Sequence, residues 1–185
     1  MTAGLIILVA VVVLAVIYVI VTYNRLVSLS VSADEGEAEV DVQLKRRHDL
    51  IPNLVKTVKG YAAHERETLS EVVHARGAAL NASGTGARAD AENGLTQALG
   101  KLLALAESYP DLKADGNFLE LQRELTATED RIQAARRFYN DTVQALNTKI
   151  RTFPPNLVAG AFRFKPREFF ELEDSSHAAV PSVAF

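Results

Sequence analysis

The sequence predicts an all-α protein in which one N-terminal transmembrane helix is followed by a bundle of three to four long antiparallel helices. The chain begins with an aliphatic run, its later apolar residues recur every seven positions, and glycine and proline interrupt the body only sparsely. We expect a transmembrane anchor over residues 1–24, a helical-bundle domain over residues 25–173 and a flexible tail over residues 174–185.

The aliphatic run is typical of a transmembrane helix. Between Ala3 and Val21 only Gly4 and Tyr18 fall outside the aliphatic set, and about 20 such residues span the hydrocarbon core of a bilayer. A helix that is apolar on every face would need a larger domain to bury it. A cleaved signal peptide would need a basic residue before the run and a small-residue site after it, and neither is present. We therefore expect contact with the lipid bilayer through residues 3–22.

The charges beside this run predict its orientation. No Lys or Arg precedes the run, and Arg25 follows it. The excess of basic residues on cytoplasmic flanks then places the N-terminus outside and the body in the cytoplasm. We expect a single-pass protein of the cell membrane.

Composition and motifs argue against several classes of function. The formal net charge of −3 gives no reason to expect nucleic acid as a ligand. The absence of cysteine excludes disulfides, thiolate metal sites and cysteine-linked lipids. Glu71 and His74 have the spacing of a di-iron helical bundle, but no second Glu-x-x-His occurs. Phosphate loops and nucleophile motifs are also missing, so we predict no catalytic, cofactor-binding or metal-binding residue and expect no cofactor.

The first helix of the body is predicted from about Asp41 to Leu80. Its apolar residues keep a spacing of seven that is interrupted at Glu65. These residues are Leu44, Ile51, Val58, Val72 and Ala79. Pro52 lies inside the helix, so a kink or a tight turn is expected between Asp49 and Pro52, and the sequence leaves both open.

Residues 81–94 form a loop by composition, and a shorter leucine-rich helix is expected from Arg88 or Asn93 to about Ser108. Asp115 or Asn117 suits the cap of the helix that follows.

That following helix, predicted from Asn117 to Phe153, has the strongest pattern in the chain. Large apolar or aromatic residues recur at every seventh position, and they are Phe118, Leu125, Ile132, Tyr139, Leu146 and Phe153. Such a long apolar stripe needs partner helices, as in a coiled coil or bundle. Pro154 and Pro155 end the helix, and the aromatic residues 156–173 could fold back over the end of the bundle.

Charged residues on the apolar stripe are the candidate functional residues. Arg47 and Glu65 lie on or beside it, and a charge there must be paired or lifted to the surface. One interpretation is an interhelical salt bridge with groups such as Glu124, Glu129, Arg136 or Arg137, and the other is a polar pocket or a docking site for a partner protein. The candidate partner-docking residues are Lys45, Arg46, Arg47, His48 and Asp49.

Several segments together resemble the LemA family. They are DVQLKRRHDLIPNLV at 41–55, TVKGYA at 57–62, YPDLK at 109–113, NF at 117–118, RR at 136–137, YN at 139–140 and FP at 153–154. The resemblance covers about Tyr23 to Phe170. It implies a bacterial, membrane-tethered helical bundle with the N-terminus outside, and no known activity. Where family members tend to have Ala-Trp or Gly-Trp, this chain has Gly36-Glu37.

The sequence and the resemblance favour an interaction or scaffold protein of the bacterial cell envelope. Its expected partners are the lipid bilayer and a membrane or envelope protein, with self-association as a further interaction. Two alternatives stay open, namely an accessory factor or metal-dependent helper of a membrane protease, and a self-assembling membrane-associated protein.

Overall fold

The predicted all-α class is confirmed by a computed structural model that describes residues 2–170, in which there are six helices and no strand. The helices are α1 (Thr2–Tyr61), α2 (Arg66–Asn81), α3 (Thr85–Ala106), α4 (Pro110–Lys113), α5 (Gly116–Arg151) and α6 (Pro155–Ala161). The flexible tail predicted for residues 174–185 lies outside the described residues.

The described residues form two compact units. The first unit comprises residues 2–41 and 133–168, and the second comprises residues 42–132 with Phe169 and Phe170. The helices α1 and α5 are long enough to contribute residues to both units.

The first unit contains the apolar N-terminal segment and a small core. Every residue from Thr2 to Val21 is exposed, and α1 is the described helix that is long and apolar enough to cross a membrane. From Leu26 onward the same helix buries one face. Its core unites α1, α5 and α6 through Leu26, Leu29, Leu146, Val158 and Ala159. The segment after Pro155 therefore does fold back, and it packs against α1.

Close packing in the first unit depends on Gly36. A Cβ atom at this position would lie 3.1 Å from the ring of Phe138 and 3.2 Å from the Cα of Tyr139. The backbones of α1 and α5 therefore approach each other where there is no room for a side chain. The hydroxyl of Tyr139 donates a hydrogen bond to the carbonyl of Glu168 at 2.9 Å.

The second unit has the larger core, to which five helices contribute. Its large buried side chains include Ile51, Leu54 and Val58 of α1, Val72 of α2, Leu95 and Leu102 of α3, Leu112 of α4 and Phe118 of α5. The stripe residues predicted for the first body helix are buried as expected, and so are those of α5 up to Leu146. Phe153 is the exception: it lies beyond the end of α5 and is exposed.

Helix α1 passes through Pro52, so the tight turn considered for this position is excluded. Proline has no N–H to donate, which leaves the carbonyl of His48, four residues earlier, without its helical partner. Arg76 of α2 replaces that partner, because its Nε donates to the His48 carbonyl at 2.8 Å. A tertiary contact thus compensates the missing backbone hydrogen bond.

The predicted helix from Asp41 to Leu80 is wrong at one point, because a turn at residues 62–65 separates α1 from α2. Ala62, the first residue of the turn, and Leu69 of α2 belong to the same core. The apolar spacing is interrupted at Glu65, which lies in this turn, but it resumes in the same register at Val72. The spacing therefore predicted one continuous helix.

The predicted loop at residues 81–94 is also wrong, because α2 ends at Asn81 and α3 already begins at Thr85. The cap of the long helix is confirmed as Asp115, whose Oδ1 accepts a hydrogen bond from the backbone N–H of Phe118 at 2.8 Å. This hydrogen bond is the largest of the interactions that lower the pKa of Asp115.

Candidate functional site

Arg47 is the centre of a buried polar cluster in the second unit. It is 1% exposed and forms ion pairs with Glu92 of α3 and Glu129 of α5. Its Nη1 donates to Glu129 Oε2 at 2.7 Å and to the hydroxyl of Thr96 at 3.0 Å. One guanidinium therefore joins three helices. Of the four partners named from the sequence, Glu129 is confirmed as a salt-bridge partner, and Glu92 was missed.

Glu92 shares its carboxylate between two neighbouring side chains of α1. One oxygen pairs with Arg47 and the other lies 2.8 Å from Nε2 of His48. Burial by itself raises the pKa of Glu92, but His48 and the Arg47 charge lower it by more, so the pKa lies below the ordinary value of 4.5. Glu92 is therefore held as a carboxylate, which the buried guanidinium requires as a counter-ion.

A groove of about 260 Å³ opens beside this cluster between α3 and α5. Its walls are mostly apolar, and its charged edge consists of Arg47, Glu129 and Asp130. The apolar part is lined by Leu99, Gly100, Leu103 and Leu125. Since the Arg47 charge is matched by its carboxylates, the groove has no free positive charge with which to attract an anion.

The five candidate docking residues divide between the interior and the surface. Arg47 and His48 are buried, whereas Lys45, Arg46 and Asp49 are exposed. Arg46 makes a surface ion pair with Glu124 of α5 at 2.6 Å. We call the solvent-facing residues the exposed α1 face, which comprises Val42, Lys45, Arg46, Asp49, Asn53 and Lys56. A partner can reach this face without disturbing the core.

Two other charged residues singled out from the sequence have structural partners. Glu65 accepts a hydrogen bond from the hydroxyl of Tyr109 at 2.8 Å, and this bond raises the pKa of Tyr109. Glu71 forms a surface ion pair with Lys101 at 2.5 Å. Among residues 2–170 no group of three or more His, Asp or Glu side chains could hold a metal ion.

Comparison with known proteins relates the chain to one family. Residues 36–185 match the profile of the LemA family. The chain is 28% identical to magnetosome protein MamQ 1 of Paramagnetospirillum magneticum in an alignment 175 residues long, and this alignment covers 80% of this chain and 64% of the relative. It is 33% identical to protein LemA of Metamycoplasma hominis over 116 residues, which is 62% of this chain and 53% of the relative. The chain thus spans less than two thirds of the length of these relatives.

Proposed function

The chain belongs to the LemA family, and we propose that this membrane-associated bacterial protein is a membrane-tethered interaction or scaffold protein of the cell envelope. In this proposal α1 anchors the chain in the bilayer, and the helical body presents an exposed surface to a membrane or envelope protein.

The observation that carries the proposal is the change in exposure along α1. The aliphatic side chains from Leu5 to Val21 are all exposed, whereas Leu26 and Leu29 are buried in the core of the first unit. Exposing a row of aliphatic side chains to water would be unfavourable at about 25 cal/mol per Å², and a bilayer removes that penalty. The anchor therefore continues directly into the folded body without a linker.

We place the docking site on the exposed α1 face. It offers both signs of charge and one large apolar side chain, Val42, which is 59% exposed. Arg46 can exchange its exposed ion pair with Glu124 for an ion pair with a carboxylate of a partner, because surface ion pairs contribute only about 0–1 kcal/mol to stability. Its planar guanidinium suits carboxylate recognition.

Site-specific crosslinking tests this proposal. A photo-reactive amino acid at Lys45 of the full-length protein should give a discrete crosslinked species in living cells. Arg46→Ala should remove that species without a change in thermal stability. Crosslinked material of twice the chain's mass would identify the partner as a second copy.

The matched control is Lys101→Ala, which removes an exposed ion pair of the same kind on another part of the second unit. It should leave the crosslink at Lys45 intact. If Arg46→Ala retains every crosslinked species, the exposed α1 face is not the docking site. If no exposed position of the second unit crosslinks to any protein, the scaffold function itself is wrong.

A further inference from the structure

Basic residues are concentrated at one end of the first unit. Residues 2–33 and 142–167 contain six Lys or Arg and no Asp or Glu, whereas the other residues hold the remaining 14 basic and all 23 acidic side chains. The six are Arg25, Lys149, Arg151, Arg163, Lys165 and Arg167. Arg167 pairs with Asp34 at 2.6 Å, and the other five make no ion pair with any carboxylate of residues 2–170. A protein of net negative charge thus has a locally cationic surface.

Large apolar side chains are exposed in the same place. Phe153 is 78% exposed, Leu157 is 63% exposed and Phe162 is 53% exposed. They lie in or beside α6, whose opposite face is buried against α1 through Val158 and Ala159. Exposed apolar groups that are surrounded by cationic groups are typical of interfacial membrane-binding segments.

Helix α6 packs against the part of α1 that would lie at the bilayer surface. The ring of Phe162 lies 4.7 Å, centre to centre, from that of Tyr23, and the ring of Phe164 lies 5.9 Å from it. Tyr23 lies two residues past the end of the apolar run at Val21, and Leu26, which packs with α6, is about 4.5 Å beyond Tyr23 at 1.5 Å per residue. The head-group layer on each side of the hydrocarbon core is roughly 5–8 Å thick. The core contacts therefore hold α6 at head-group depth.

The backbone at Arg163 gives independent support. Its φ is 60°, and the N–H of Phe164 donates to the carbonyl of Ala159 at 2.9 Å while the N–H of Arg163 donates to that of Gly160 at 3.2 Å. This arrangement is a Schellman motif, in which glycine is the usual residue at the position of positive φ. An arginine in its place is unfavourable for the fold, which indicates that its side chain serves another purpose.

We propose that α6 and its flanking residues form a second membrane contact that binds anionic lipid head groups of the bilayer crossed by α1. We call this surface the α6 patch, and it comprises Phe153, Leu157 and Phe162 together with Arg25, Lys149, Arg151, Arg163 and Lys165. The apolar side chains enter the head-group layer, and the basic side chains bind lipid phosphates. Because the anchor makes this contact intramolecular, a weak affinity is sufficient. The contact involves lipid alone and does not depend on the protein bound by the exposed α1 face.

Fluorescence from a single site tests the proposal. The chain has no cysteine, so Ala161→Cys places one environment-sensitive dye in the α6 patch without removing any member of the patch. Ala134→Cys is the control, because Ala134 is exposed on α5 and lies far from the membrane. Tyr139 of α5 lies beside Gly36, which is about 20 Å past the apolar run along α1, and Ala134 lies beyond Tyr139. The full-length protein is placed in nanodiscs of phosphatidylcholine, with or without phosphatidylglycerol.

The dye at position 161 should emit at shorter wavelength and be less quenched by acrylamide than the dye at position 134, and phosphatidylglycerol should increase this difference. Arg163→Gly removes a charge while placing the favoured residue at a positive φ, so the fold should remain at least as stable. In this variant the equilibrium constant for binding of the α6 patch to the membrane should fall by roughly fivefold, which is the effect of one basic residue near an anionic surface. Arg163→Lys should retain most of the binding.

Equal emission and quenching at positions 161 and 134 in phosphatidylglycerol nanodiscs would overturn the proposal. Protection of position 161 in native membranes but not in nanodiscs would also overturn it, since it would assign the patch to a protein partner. Neither result bears on the crosslink at Lys45, so failure of this proposal and failure of the scaffold function are distinguishable.

Discussion

At the scale of single residues, Arg46 and Arg47 are neighbours in the chain with opposite environments. Arg47→Ala strands the buried carboxylate of Glu92 and should lower the free energy of unfolding by about 3–5 kcal/mol. Arg46→Ala removes an ion pair whose side chains are 45% and 38% exposed, and should change it by only about 0–1 kcal/mol. Urea unfolding of the full chain in mild detergent, followed by circular dichroism, measures both. Equal effects of the two substitutions would contradict the assigned environments.

The carboxylate of Glu92 also predicts a dependence of stability on pH. Because its pKa in the folded protein is below the ordinary value of 4.5, it contributes stability that is fully present above that value and is lost as the pH falls through the folded-state pKa. Glu92→Gln removes this contribution. The difference in unfolding free energy between the parent and Glu92→Gln should therefore be constant near neutrality and shrink in acid. A difference that stays constant or grows in acid would show that Glu92 is not held as a carboxylate.

The sequence predicted that Arg47 needs a partner, because a charge on an apolar stripe cannot stay unpaired. It did not identify Glu92, because residues 81–94, with three Gly and two Asn, have a composition that favours a loop. A signal was present: alanines recur at 87, 89 and 91, and Arg88 and Glu92 have the spacing of a helical ion pair. The loop-like composition of this segment therefore masks a helix that supplies one member of the site.

At the scale of helices, the passage of α1 through Pro52 depends on Arg76. Arg76→Ala should leave the His48 carbonyl without a donor and lower the free energy of unfolding by about 1–3 kcal/mol. In a Pro52→Ala background the backbone N–H of residue 52 can donate a hydrogen bond to the His48 carbonyl. Arg76→Ala should therefore lower the free energy of unfolding by less in that background. A double-mutant cycle measures the coupling, which should be about 1 kcal/mol. Additive effects would mean that Arg76 does not replace the missing helical hydrogen bond.

Helix boundaries were the least predictable feature, and the reasons are physical. Proline suggested a break at position 52, yet a side chain from another helix satisfies the freed carbonyl and α1 continues. The true break, at residues 62–65, contains no proline or glycine. Its flanking residues Val58 and Val72 keep the spacing of one helix because both face the same core. By contrast, α5 was predicted well, because one apolar stripe and the cap at Asp115 define it locally.

At the scale of the whole molecule, the distribution of charge bears on orientation. Arg25 alone suggested a cytoplasmic body, but the fold brings further basic residues of α5 and of the segment after α6 to the same end of the apolar run. This grouping depends on the chain folding back after Pro155, so it is not visible in the residues that directly flank the run. Anionic lipids of the cytoplasmic leaflet attract such basic groups, each by about 1 kcal/mol. The α6 patch and the rule for flanking charges therefore favour the same topology.

That topology, with the N-terminus outside and the body in the cytoplasm, is tested with single cysteines. Thr2→Cys lies before the apolar run, and Ser83→Cys lies in the exposed loop between α2 and α3. In intact cells an impermeant thiol reagent should label position 2 and not position 83, because only the former is outside the permeability barrier. In cells opened with detergent, both positions should react, which shows that position 83 is accessible in the folded protein. Labelling of position 83 but not position 2 in intact cells would reverse the orientation. The α6 patch would then face the outer leaflet, and the partner of the exposed α1 face would have to be sought outside the cytoplasm.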